Sequence, residues 1–249
     1  MKSLLLTVLT LLVMSLAAAE ASAQAAWRDR GWLSVNAGIQ GAPATFTGDT
    51  TFRTNVETGT NSTNYRFTSV TLFDVGGGVR IWRNLGVGVD VSYFTRKDDL
   101  DVSTKVPHPF FFNQLRTVTG QQPGVERREI GAHLQAMWMI PAGNHLQIEV
   151  FGGPSFITVR QGIVTTVNIT ETYPYDTAIF GSADTAAQSR NEVGFNTGVD
   201  ASYLFNQRIG VGAVARFTRA QATFDLADGG TVKDNLGGAQ VAGGLRVRF

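Results

Sequence analysis

The chain has 249 residues, 28 of them glycine and none cysteine, with a formal charge of +1. Without cysteine there is no disulfide framework, no thiolate metal site and no lipid-anchor cysteine. The near-neutral balance argues against a nucleic-acid partner, and the length suits one domain.

Lys2 is followed by an apolar run from Leu4 to about Ala19 and then by Ala21, Ser22 and Ala23. A basic start, a short apolar core and a small-x-small site predict a secretory signal peptide over residues 1–23, cleaved after Ala23. The run is shorter than the roughly 20 residues a spanning helix needs. The expected domain is therefore residues 24–249.

From there the apolar residues recur with a period of two, the mark of strands with one apolar and one polar face. The first strand is expected over about 31–41, with Leu33, Val35, Ala37 and Ile39 on the apolar face and Ser34, Asn36 and Gln40 opposite. Residues 42–66, rich in Thr, Asn and Gly, read as a long loop. The second strand (about 67–82) and the third (from Leu85) are joined by Arg83-Asn84, the clearest hairpin in the chain. A second long loop is expected over about 96–125, and the fourth strand over about 126–140. The fifth spans about 146–160, with Pro154 predicting a bulge or the end of regular pairing. A third long loop (about 161–190), a sixth strand (191–204), a seventh (209–223) and a closing strand to Phe249 complete the pattern.

Long and short connections alternate through eight strands. The spacing predicts an all-β fold: an eight-stranded antiparallel up-and-down transmembrane β-barrel with long external loops and short periplasmic turns. Extra pairing inside the first or second loop would raise the strand number to ten. The same periodicity fits a soluble lipocalin-type carrier with its apolar faces inward. The terminal aromatic and the loop asymmetry favour the membrane. Trp32, Trp82, Trp138, Tyr203 and Phe249 fall at the periplasmic ends, where an aromatic girdle belongs. Trp32 and Trp82, however, fall on the inward phase. Either a bulge shifts them or they cap the lumen.

The inward phase collects Asp74, Asp90, Glu149 and Asp200 against Arg80, Arg216 and Arg246, with His133 and Gln240 among them. An eight-stranded interior is just wide enough for side chains, and charges there must pair. The reading is an ionic plug, with a narrow polar pore as the alternative. Inward Gly76, Gly78, Gly86, Gly88 and Gly244 are expected to make room for the arginines or to relieve curvature. No catalytic, cofactor or metal site is expected. His145 lies at a periplasmic turn, His133 sits mid-strand, and His108 has no matched Ser and carboxylate. His108, Phe110, Phe111 and Phe112 stand in the second loop. They read either as a contact site or as a lid folded over the barrel mouth.

On these residues the chain resembles the small eight-stranded outer-membrane barrels: the OmpA transmembrane domain, OmpX and the opacity-type proteins. The ending Leu245-Arg246-Val247-Arg248-Phe249 resembles their C-terminal assembly signal, carried here by Leu245, Val247 and Phe249. The 106–112 stretch is similar to a loop in the outer membrane protein beta-barrel domain group. The resemblance implies outer-membrane localisation and outer-membrane lipids and the barrel-assembly machinery as partners. It also implies a role in envelope integrity or adhesion through an extracellular or envelope protein. No peptidoglycan-binding domain is expected after the barrel.

Overall fold

The computed structural model describes residues 30–41, 44–143 and 145–249; the segment expected to be a signal peptide lies outside them. The described residues form ten antiparallel strands. They are β1 (Gly31–Gln40), β2 (Ala44–Thr54), β3 (Glu57–Phe67), β4 (Val70–Trp82), β5 (Leu85–Pro107), β6 (Leu115–Pro141), β7 (Leu146–Glu171), β8 (Ala178–Leu204), β9 (Ile209–Asp225) and β10 (Thr231–Arg248). Eight of them close a ring in the order β1-β4-β5-β6-β7-β8-β9-β10. Closure comes from β1 against β10, from Trp32↔Arg248 to Gln40↔Gln240. The remaining pair, β2–β3, is a hairpin that adds to the outer end of β5 through Thr60–Asn64.

The expected long loops are therefore strand. Residues 96–107 and 115–125 continue β5 and β6, and most of 161–190 continues β7 and β8. Their Thr, Asn and charged residues mimic a loop composition. They are the water-facing half of an alternation whose other half, such as Leu100, Val102 and Val106, is buried. The strand number is eight in the ring and ten in all.

Two zones share the same strands. Near the short turns, apolar side chains point outward: Val35 is 56% exposed, Leu245 58% and Phe73 57%. On β5 this belt runs from Leu85 to Tyr93. At about 3.3 Å per residue and a tilt near 40° that is about 20 Å of height, close to the roughly 25 Å apolar band of a membrane barrel. Beyond it the chemistry inverts. Phe67, Leu100, Val102, Ile157, Val159, Ile163, Phe224 and Leu236 face inward as one apolar core, while Asp101, Ser103 and Lys105 face water. The lipocalin-like arrangement exists, but only above the belt.

The two tryptophans resolve differently. A bulge between Arg80 and Trp82 turns Trp82 outward, 63% exposed, beside Leu85. Trp32 stays inward and packs with Met137, Phe151, Val214 and Ala242. Trp82, Trp138, Tyr203, Phe205 and Phe249 are exposed near the periplasmic rim, as interfacial aromatics are.

At Pro154, pairing between β6 and β7 lapses between His133↔Ser155 and Ala136↔Gly152, then resumes in the same register. There is no bulge, only a missing N–H. The Asn196 side chain covers the gap: its Nδ2 lies 3.0–3.2 Å from Leu134 O, Gly153 O, Pro154 O and Ser155 Oγ.

Candidate functional site

The inward residues of the belt build a layered ionic plug. Arg216 on β9 reaches across the lumen to Asp74 Oδ2 on β4 (2.5 Å) and to Asp90 on β5, and its Nε donates to Gln240 Oε1 (2.7 Å). Asn36 Nδ2 donates to Asp74 Oδ1 at 2.7 Å, and Arg246 pairs with Asp200 and Asn36. Gln240 continues to Gln40, whose amide donates to Gly237 O at 2.9 Å. Six of the ring strands meet in this network, so it fixes the barrel's cross-section as well as filling it.

Of the other expected members, Glu149 borders the same central cavity, opposite Asp200 on β8, and also the periplasmic mouth, where Gln147 accepts from Arg248 at 2.6 Å. Arg80 lines the same mouth beside Trp32 and Met139. His133 is buried one layer up between Ser92 Oγ (3.0 Å) and Ser155 Oγ (2.8 Å). It is a hydrogen-bonded lumen residue outside the ionic cluster. His145 Nδ1 bonds Leu204 O at 2.9 Å at the periplasmic turn.

The inward glycines do make room, but not for the residues expected. A side chain at Gly76 would meet Asp90, at Gly78 Trp32, at Gly86 Met139, at Gly88 Met137, and at Gly244 the Val35 carbonyl and Asn36. The glycine that spares an arginine is Gly212, where a Cβ would stand 2.8 Å from Arg246 Nε.

A second ion cluster went unnoticed in the sequence. Arg127, fully buried, pairs with Asp234 (2.6 Å) and Glu129 (3.2 Å) and donates to Gln161 Oε1 (2.8 Å). Its guanidinium lies 5.7 Å from the Phe67 ring, at the joint between the ionic layer and the apolar core. Extending the phase of His133 and Gln135 back by three turns of the alternation would have placed Arg127 inward. The remaining central cavity, among Asn36, Asp74, Asp90, Arg216 and Arg246, is about 40 Å³. At about 10–15 Å³ for each water-sized sphere, it has room for about three waters.

An outward apolar belt of membrane height around a charged interior is stable only in lipid, and closed β-barrels are the strand solution to spanning a bilayer. The chain is an outer-membrane β-barrel. No protein-family model matches the sequence, nor does any curated protein. Among solved structures, it is similar to the outer membrane protein OprG from Pseudomonas aeruginosa (TM-score 0.47, 11% identity, 89% of this chain and 97% of that one). It is also similar to Neisserial surface protein A (0.42, 12%, 88% and 97%) and to the outer membrane protease OmpT from Escherichia coli (0.43, 9%, 87% and 97%). At such identities and TM-scores these likenesses carry no argument about activity.

The external hairpin tips form the other candidate site. Phe110, Phe111 and Phe112 are 63%, 57% and 76% exposed, so they do not fold into the mouth as a lid. His108 beneath them is buried. Its Nδ1 accepts the N–H groups of Phe110 (3.1 Å) and Phe111 (3.3 Å) and so orders the turn. Neighbouring tips clasp this one. Arg116 donates to Pro107 O and Tyr175 O (2.7 Å each) and pairs with Glu171; Asn55 donates to Pro107 O (3.2 Å); Asn113 N–H donates to Glu57 (2.7 Å).

Proposed function

We propose that the protein is a non-enzymatic barrel with a closed interior, acting in envelope structure and surface contact. The observation that carries this is the double closure: an ionic layer at belt height and an apolar core above it. Both use side chains that a conducting pore would keep apart. With the interior filled, the external tips are where the molecule meets its surroundings, and the ordered turn at His108 holds three exposed phenylalanines there. Exposed aromatics on a braced scaffold favour an apolar contact. Eight ring strands and tall external hairpins support grouping it with the OmpA-domain, OmpX and opacity-type barrels. In that reading Leu245, Val247 and Phe249, exposed on β10 and at its end, serve recognition by the assembly machinery.

The test is Phe110→Ser, Phe111→Ser and Phe112→Ser together. Because these rings are exposed, the unfolding midpoint stays within about 0.5 kcal/mol of wild type. Attachment of expressing cells to a hydrophobic surface falls. A lowered midpoint would make the rings structural, and unchanged attachment would remove them as a contact site. The second reading, a narrow channel, rests on the polar character of the same lumen and is tested by conductance.

A further inference from the structure

The outer wall of the barrel carries a charge cluster that neither the interior nor the tips use. Arg128 on β6 stands directly opposite Arg160 on β7, and both side chains point away from the lumen. Lys97 on β5 points the same way, two residues above Thr95, the partner of Arg128. Like charges facing each other across an antiparallel pair are destabilising. Among the described residues no carboxylate lies within ion-pair distance of these three. Glu126, opposite Lys97, and Asp99, two residues above Lys97 and accepting the Gly124 N–H, are acids on this wall, and neither is within ion-pair distance of the three cations. Arg128 is braced, its guanidinium 5.7 Å from the Tyr93 ring, while its Nε is buried with no hydrogen-bond partner.

The cluster's height gives it a meaning. Arg128 is two residues beyond Ile130, and Arg160 and Lys97 are four beyond Phe156 and Tyr93, the last apolar groups of the belt. Each residue adds about 2.5 Å along the barrel axis, so the cations stand about 5–10 Å above the belt's edge. The headgroup layer extends about 5–8 Å beyond the hydrocarbon on each side. A row of unpaired donors at this level, continuous with an apolar wall of Ile130, Ala132 and Phe156 below, matches an anion joined to acyl chains.

We propose that Lys97, Arg128 and Arg160 bind the phosphate of an outer-leaflet lipid headgroup. The guanidinium groups make paired, charge-assisted bonds to phosphate oxygens, Arg128 Nε gains its missing partner, and the chains lie along the belt.

The test uses the purified full barrel in mixed micelles, titrated with diphosphoryl lipid A, dephosphorylated lipid A and inorganic phosphate. Arg128→Gln/Arg160→Gln is compared with Arg219→Gln, a cation on β9 already bonded to Asn235 (3.3 Å). Expected are at least about tenfold weaker binding of the phosphorylated lipid by the double variant, no change for Arg219→Gln, and retained heat-modifiable migration for both. If the double variant fails to fold, the exposed Arg160→Gln alone carries the comparison, with a smaller loss in the same direction. Equal binding by variant and wild type, or equal binding of the dephosphorylated lipid, would overturn the proposal. So would full displacement of the lipid by millimolar inorganic phosphate, which would make the site one for free anions.

Discussion

Arg216→Met is the sharpest probe of the plug. Arg216 is nearly fully buried and holds Asp74 at 2.5 Å as well as Asp90. Each pair, at about 4 Å between charge centres and an effective dielectric near 20, gains about 4 kcal/mol before desolvation. Removing the shared cation leaves two buried carboxylates uncompensated, a loss of about 3–5 kcal/mol. With a denaturant slope of about 2 kcal/mol/M, the urea midpoint of the barrel in phospholipid vesicles, followed by tryptophan fluorescence, falls by about 2 M. Adding Asp74→Asn and Asp90→Asn removes the stranded charges and keeps the acceptor for Asn36, so most of the loss returns. A single variant indistinguishable from wild type, or a triple variant no better than the single, would refute an ionic network that supports the fold.

Two further outcomes follow from the same geometry. Tyr65, buried in the external core with its hydroxyl oxygen accepting Val164 N–H at 2.8 Å, has its pKa pushed up to about 12 by burial. The difference in alkaline absorbance titration between wild type and Tyr65→Phe therefore shows a midpoint near 12. Because the folded value exceeds the unfolded one of about 10, this residue's contribution is full below pH 10 and is lost as pH rises toward 12. Asn196→Ala uncovers the carbonyls around Pro154 and costs about 1–3 kcal/mol in the urea midpoint; in a Pro154→Ala background, where a backbone N–H is restored, the loss shrinks. An equal loss in both backgrounds would separate Asn196 from the gap.

Much of this was legible in the sequence because a period of two is unambiguous where one face meets lipid. Leu33 to Ile39, Leu85 to Tyr93 and Val241 to Val247 needed nothing further, and the inward Asp74, Asp90, Asp200, Arg216 and Arg246 fell out of the opposite phase. The external strands were missed because the alternation reverses its chemistry. Above the belt the apolar residues turn inward and Thr, Asn and Asp turn outward, which reads as loop when composition is weighed before phase. Arg127 was lost at that same boundary. Which residues meet across the lumen depends on strand tilt and register, which no single strand carries. His133 therefore looked like a member of the ionic cluster when its partners are Ser92 and Ser155. The basic pair of Arg128 and Arg160 likewise exists only through the pairing of β6 with β7.

The most direct measurement is single-channel recording in planar bilayers with the heat-modifiable, folded barrel. The account predicts a silent bilayer across salt concentrations, because the ionic layer and the apolar core each close the lumen. Reproducible conductance steps, altered by Asp90→Asn or Arg216→Gln, would contradict it and make the same residues the lining of a pore.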